Sequence, residues 1–462
     1  MRRQESLATS QTVTAPQVAA PWPVPGRRIN RLGMWLADNA ERVFLLYLML
    51  HLSGAYLFPT NPQAVAYTYT EDSLTDSIFA LMYLVVGGLI LLRARRVLRA
   101  ALAHRWTLVL LALVAVSALW SQAPDITVHR VIAILVTCSF GWYLVARYSP
   151  REIIQLVVTV LMFTALLSLV YGISGTGGGG LGGGEWRGAY ENKNVLARSM
   201  ALSATLCLLL LLEPGRWRWL VWGGFALSCT MVALSRSATG ALILIALVLM
   251  VRFSGSLRLR ATILVPVLIV SALLLAGGLS WLVFNAADLA PRIGKDTTLT
   301  GRTELWTVAI VMIQRHPWLG YGFGGFWRGF IGDSGEFWTA VGWPTPHAHN
   351  GFIDLTLDLG LVGLAVLIVG LATALAAAVV RVRSGRTTSA VAPFILLMFF
   401  ALYNLTESSI LRHNSLYLVL YVVATSVACG GSERARAVRR PPRSESDAGG
   451  NGPALIFGEG RV

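Results

Sequence analysis

The sequence predicts an all-α integral membrane protein of about twelve spanning helices, with one long, partly helical loop between spans nine and ten on the face opposite the cytoplasm. Three observations predict it. Of the 462 residues, 55% are hydrophobic and only 13% charged, with mean hydropathy +0.62, more apolar surface than one soluble core can hide. Apolar runs such as Leu364 to Val380 are continuous; a spanning barrel would show alternating segments of about ten residues, and in lipid only helices otherwise satisfy their own backbone. The basic residues also fall on alternate loops.

The spans are placed at 43–58, 76–92, 106–120, 127–146, 152–174, 194–212, 217–234, 238–252, 260–284, 356–380, 389–405 and 414–430. With the N-terminus in the cytoplasm, 27 of the 38 Lys and Arg fall on inside segments, as the excess of cations on cytoplasmic loops requires. The first outside loop and its edge carry Glu71, Asp72 and Asp76 and no cation. Both termini are then cytoplasmic. The net charge of +15 follows from this bias, so no nucleic-acid partner is called for. Residues 1–42 are rich in Pro and Arg and lack the apolar stretch of a signal peptide. They read as a mostly disordered cytoplasmic tail with a short interfacial helix near Met34 to Leu36, and residues 431–462 as a second tail. The domain plan is thus a tail, spans one to nine over 43–284, the outside loop 285–355, spans ten to twelve over 356–430, and a tail. Cys138, Cys207, Cys229 and Cys429 lie in or beside apolar runs without CxxC spacing and read as packing.

The loop at 285–355 is long enough to be functional. Within it, Gly301 to Arg315 reads as a helix, with Glu304 in its first turn, an apolar face from Leu305, Trp306, Ala309, Ile310, Met312 and Ile313, and Pro317 after its end. A glycine and aromatic stretch follows, Leu319 to Phe330, then Pro346-His347-Ala348-His349-Asn350-Gly351 leading into span ten. The GxGxxG at Gly320, Gly322 and Gly325 has neither a strand before it nor a helix after it, which excludes the dinucleotide reading. The run Gly177 to Gly184 lacks the Lys-Ser or Lys-Thr of a phosphate loop; it is a flexible loop or a mobile lid.

Several polar residues at outer helix ends have a plain and a chemical reading. Lys193, in Glu191-Asn192-Lys193-Asn194, is either a snorkelling cation or part of a site at the mouth of span six. Arg236 sits in a tight turn between spans seven and eight. It is either interfacial or compensated by a bound anion, since a guanidinium at bilayer depth is costly. Arg302 opens the loop helix, where its charge and the first-turn N–H groups favour a phosphate, or it is an ordinary helix-start charge. His347 and His349 have no third His or Cys nearby and are too few for a metal site; either suits a general base. Asp354 and Asp358 share a helix face. Asn404, Glu407 and Arg412 make the last outside loop more polar than a short turn requires.

Taken together, Gly301-Arg302-Thr303-Glu304-Leu305-Trp306, His316-Pro317-Trp318-Leu319-Gly320-Tyr321-Gly322 and His349-Asn350-Gly351-Phe352-Ile353-Asp354 resemble, in order and spacing, the bacterial O-antigen ligase and polysaccharide polymerase superfamily. The resemblance covers about residues 185–380. Asn404 to Ser409 looks like the corresponding stretch of exopolysaccharide polymerases in that superfamily. The resemblance implies a glycosyltransferase of the bacterial inner membrane whose donor is a glycan on a polyprenyl pyrophosphate. It uses no cofactor and no metal. Arg236, Arg302 and His349 match its recurring residues, with Lys193, Asn194, His347, Asn350 and Glu407 lining the substrate. A repeat-unit polymerase is expected, with a flippase and a chain-length regulator as partners. A ligase passing the glycan to lipid A–core or to protein is the nearest alternative. A twelve-helix transporter is the alternative from another class, but it would show matching halves.

Overall fold

A computed structural model describes residues 26–56, 73–176, 184–254 and 302–430. The expected ninth span at 260–284, Gly301, residues 177–183 of the glycine run, residues 1–25 and the tail at 431–462 lie outside the described residues. Every regular element among the described residues is helical. The chain divides into two compact units, residues up to Tyr47 and residues from Leu48 onward.

The first helix, α1 (Gly26–Leu52), begins well before the expected span, so residues 26–42 are helical rather than an irregular tail. In chain order follow α2 (Ser73–Leu91), α3 (Ala94–Leu102), α4 (Arg105–Val116), α5 (Pro124–Arg147), α6 (Pro150–Ile173), α7 (Lys193–Leu210), α8 (Arg218–Ser235) and α9 (Ala238–Phe253). After residue 301 come α10 (Arg302–Arg315), α11 (Asp333–Val341), α12 (Gly351–Ser384), α13 (Thr388–Asn404) and α14 (Leu416–Gly430). Each expected span within the described residues falls on one of these helices. By length and composition α5, α6, α7 and α12 suffice to cross a membrane, and α3 with α4 and its 3-10 extension to Leu119 form a further pair bent by 96°. These apolar helices mark a multi-pass membrane protein.

Local sequence explains the helix starts. Ser149 and Glu152 close a reciprocal capping box before Pro150, satisfying N–H groups that have no partner inside α6. Asn192 caps α7 by accepting from the N–H of Asn194 and Val195, and Ser237 caps α9 through the N–H of Gly240. The basic segment between the expected second and third spans is the amphipathic α3: Val97, Ala100 and Ala101 are buried while Arg95, Arg96 and Arg99 are exposed.

Two helices are enclosed by the others. α7 packs against α6, α8, α9 and α13, and nearly all of its residues from Val195 to Leu210 are buried. α14 is buried from Leu416 to Ala428 and packs against α5, α12 and α13. Peripheral helices show two apolar faces instead. In α9, Ile243 and Leu247 are buried whereas Leu242, Ile245 and Leu249 are exposed, the pattern of a helix with protein on one side and lipid on the other.

The segment after residue 301 has its own core. Leu305, Ala309 and Met312 of α10 pack with Tyr321, Phe326, Trp327, Phe337, Trp338, Ala348 and Leu357. Ile310, expected on the apolar face, is half exposed at 51%. α11, which the sequence reading did not anticipate, is tied to α10 by Arg315, whose guanidinium donates to Glu336 at 2.5 and 2.7 Å and to Asp333 at 3.0 Å. Arg130 donates to the Gly324 carbonyl at 3.1 Å and Arg328 to the Gln122 carbonyl at 3.0 Å, fixing this segment to α5 and the turn before it.

α12 starts at Gly351, five residues before the expected span, and breaks at Gly360, where φ is +63°. The interruption frees backbone groups that must find partners, and residues 317–321 supply them. The N–H groups of Leu361 and Val362 donate to the carbonyls of Pro317 and Trp318 at 2.8 and 3.2 Å, and the Tyr321 N–H donates to the Leu357 carbonyl at 2.8 Å. A Cβ on Gly360 would meet the Trp318 backbone at 2.2 Å, and one on Gly320, also at positive φ, would meet the Leu357 carbonyl at 2.5 Å. Gly360→Ala should therefore lower the thermal unfolding midpoint in detergent by several degrees, for a cost of about 1–3 kcal/mol. Gly88→Ala, where an added methyl meets nothing within 4 Å, is the control. Equal midpoints would show that the break does not depend on glycine.

Candidate active site

Three loop segments converge where α10 and α12 begin. Asn350 caps α12, its side chain accepting from the N–H of Phe352 and Ile353 at 3.0 and 3.3 Å. The residue before it, His349, has φ of +49°, a left-handed conformation that costs a non-glycine residue about 1–3 kcal/mol and that surrounding structure must impose. The imposing contacts are visible. Ala348 is held on both sides, its carbonyl accepting from Trp306 Nε1 of α10 at 2.9 Å and its N–H donating to Asp354 of α12 at 3.0 Å. Asp354 also accepts from Trp327 Nε1 at 3.0 Å and pairs with the Ser408 hydroxyl. Asp354 thus joins the histidine loop, the glycine and aromatic stretch and the last loop.

The segment 404–409 closes the site from the other side. The Gly351 N–H donates to the Glu407 carbonyl at 3.1 Å and Asn350 Nδ2 to the Leu405 carbonyl at 3.4 Å. The Asn404 side chain accepts from the N–H of Ser409 and Ile410, which fixes the turn. Glu407, 8% exposed, sits between two groups. Its Oε2 lies 3.3 Å from His349 Nδ1 and its Oε1 3.5 Å from Arg302 Nη2.

The two imidazoles are not equivalent. His347 Nδ1 accepts the His349 backbone N–H at 3.2 Å, so that nitrogen carries no proton. Burial pushes the His347 imidazole down to about 3, the charges of His349, Arg412 and Arg198 act in the same direction, and Glu407 alone opposes them. His349 instead places Nδ1 on a carboxylate, which leaves Nε2 as the free position. Burial alone would raise the Glu407 carboxyl; the His349 hydrogen bond, followed by the charges of Arg198 and His349, overcomes it and holds Glu407 down to about 2.

The structure therefore brings Arg302, His347, His349, Asn350 and Glu407 together. Lys193, Asn194 and Arg236 form a second group. Asn194 Oδ1 accepts from the Ser237 hydroxyl at 2.8 Å, joining the start of α7 to the Arg236 turn. Lys193 pairs with Glu185 at 2.6 Å, and Arg236 is exposed at positive φ. Among the described residues no hydrogen bond or ion pair links Arg236 or Lys193 to the histidine cluster. Sequence reasoning did not single out Trp327, Ser408 or Arg198, and it left Asp354 without a role. A lone Arg within the apolar run of α7 was the available signal for Arg198, since ionisable groups in such runs mark function by default. Glu407 also supplies a third donor beside the two histidines, the three ligand atoms lying within 4.8 Å of one another. As a cation site this set fits poorly, because Glu407 is already paired with Arg302 and the His347 Nδ1 lone pair already accepts the His349 N–H.

Acid should destabilise this arrangement. His347, with its folded value near 3 against an ordinary 6.5, favours the fold fully above about pH 6.5 and loses that contribution as pH falls toward 3. Glu407, near 2 against 4.5, loses its contribution below about pH 4.5. His413, lowered to about 4 mainly by burial, has the same sign as His347. The unfolding midpoint should thus fall between pH 7 and 5. The fall should be shallower in His347→Asn, whose amide oxygen can replace Nδ1 as acceptor, and an unchanged slope would contradict the assignment.

Residues 223–368, which include Arg236, Arg302, His347, His349 and Asn350, match the family described as O-Antigen ligase. The chain is also 27% identical over 312 residues to the Exopolysaccharide production protein ExoQ of Rhizobium meliloti (strain 1021), an alignment covering 62% of this chain and 68% of that protein. On both findings the chain is related in sequence to the O-antigen ligase and polysaccharide polymerase superfamily.

Proposed function

We propose that the protein is an inner-membrane glycosyltransferase that polymerises exopolysaccharide or O-antigen repeat units from a polyprenyl-pyrophosphate-linked donor. In this reading twelve spans place both termini in the cytoplasm and the 285–355 loop in the periplasm, where a flippase delivers the donor and a chain-length regulator acts beside the enzyme. The observation that supports it best is the Arg302–Glu407–His349 chain. A carboxylate on Nδ1 fixes the imidazole's orientation and tautomer and raises the basicity of Nε2.

The reaction is a single displacement. The acceptor hydroxyl oxygen attacks the anomeric carbon of the donor as its proton passes to His349 Nε2. The bond between the anomeric carbon and the pyrophosphate oxygen breaks, and the electron pair leaves on the pyrophosphate. Fixed cations aimed at the leaving group stabilise the charge that develops there. Arg302 and Arg236 serve this role, with Lys193 assisting. Arg302 also holds Glu407, so one residue couples leaving-group charge to the base. No metal takes part.

Ligation to lipid A–core or to a protein is the second reading, favoured by the matched family's description, whereas the relative's name favours exopolysaccharide. A deletion strain separates them. Single repeat units without long chains support polymerisation, and long chains left on the polyprenyl carrier support ligation. In the complemented strain and in membranes, His349→Ala should reduce transfer by about 10²–10⁴-fold, with Glu407→Gln and Arg302→Ala also strongly reduced and a chelator without effect. Wild-type transfer by His349→Ala at normal abundance would overturn the base assignment, and an unaltered glycan profile in the deletion strain would overturn the enzyme reading.

A further inference from the structure

Arg198 lies in α7, one turn and a half into the helix from Lys193. It is 8% exposed, and its Nε is buried with no hydrogen-bond partner. Among the described residues it has no ion pair. Its guanidinium instead lies against a pair of touching tyrosine rings, 4.4 Å from the Tyr403 centroid and 5.1 Å from that of Tyr417. The Tyr403 hydroxyl is likewise buried without a partner, while the Tyr417 hydroxyl is taken up by Ser199 at 2.6 Å. Two aromatic faces recover only part of the desolvation of a buried guanidinium. The carboxylate whose charge Arg198 feels, Glu407, already has one oxygen on Arg302 and the other on His349.

Asp354, the other carboxylate of the cluster, is likewise occupied, held by Trp327, Ala348 and Ser408. A guanidinium fork suits two oxygens of one anion.

We infer that Arg198, packed against Tyr403 and Tyr417, is an anion-binding residue of the site and takes the pyrophosphate of the prenyl-linked donor. This rests on the donor proposed above. It makes α7 the element that carries the anion site from the Lys193 and Asn194 mouth to the histidine cluster. The shared chemistry, a bidentate anion, has a second source in the carboxylate of an acidic sugar, and the test separates the two.

The test measures binding of farnesyl diphosphate, and separately of glucuronate, to the purified full chain in detergent. It also measures KM and kcat for a lipid-linked donor. Arg198→Gln should weaken farnesyl diphosphate binding about tenfold or more and raise KM more than it lowers kcat, with Arg198→Lys recovering part of the affinity. Should both variants fail to fold, a photoreactive prenyl diphosphate on the wild-type protein should crosslink within residues 193–204, in competition with pyrophosphate and not with glucuronate. Wild-type binding that Arg198→Gln leaves unchanged, crosslinks only elsewhere, or a site that takes glucuronate and not the diphosphate would each overturn the Arg198 assignment while leaving the enzyme reading intact. A wild-type protein that binds no prenyl diphosphate would overturn the donor assignment together with this one.

Discussion

Glu407 holds the site together because it is a buried carboxylate with one cation and one imidazole on its two oxygens. Arg302 comes from the start of α10 and His349 from the residue before the cap of α12, which are far apart in sequence. A buried carboxylate without partners is costly, and the His349 hydrogen bond with the Arg198 charge keeps Glu407 ionised inside the protein. The carboxylate in turn joins the start of α10 to the start of α12. The backbone repeats the connection: the Glu407 carbonyl accepts from the Gly351 N–H, and a Cβ at Gly351 would lie 2.3 Å from the Asn404 side-chain oxygen. The close approach of 404–409 to 349–351 therefore depends on a residue without a side chain.

The left-handed backbone at His349 follows from these restraints. Ala348 is clamped by Trp306 and Asp354, Asn350 is committed to capping α12, and the intervening residue must absorb the turn between them. The His349 N–H then points at His347 Nδ1, and its ring at Glu407. One imidazole is used as a neutral acceptor and the other is left with a free nitrogen. The division of roles between two histidines two residues apart is thus a consequence of where their backbones are held.

The same economy operates at the break in α12. An interrupted helix inside a membrane protein exposes backbone groups that lipid cannot satisfy. Here Pro317 and Trp318 accept the freed N–H groups while Tyr321 uses a carbonyl on the other side. The glycine and aromatic stretch therefore completes a helix, which explains glycines at positions where a nucleotide-binding motif was already excluded. It also fixes the first turns of α12, and hence Asp354, relative to α10.

The sequence by itself determined the helical class, since long apolar runs in lipid leave the backbone no other choice. It also marked the loop residues that the fold brings together, because Arg302, His347, His349 and Asn350 stand in short motifs whose spacing is local. Periodicity did not reach α3, whose basic residues resemble a loop, nor the break at Gly360, which depends on a backbone segment forty residues earlier in the chain. The pairing of Glu407 with Arg302 and His349, the burial of Arg198 against two tyrosines, and the use of Asp354 as a three-way acceptor were decided only by tertiary structure. Each joins side chains from segments separated by tens to hundreds of residues, and the desolvation that gives such contacts their strength exists only once the helices have packed around them.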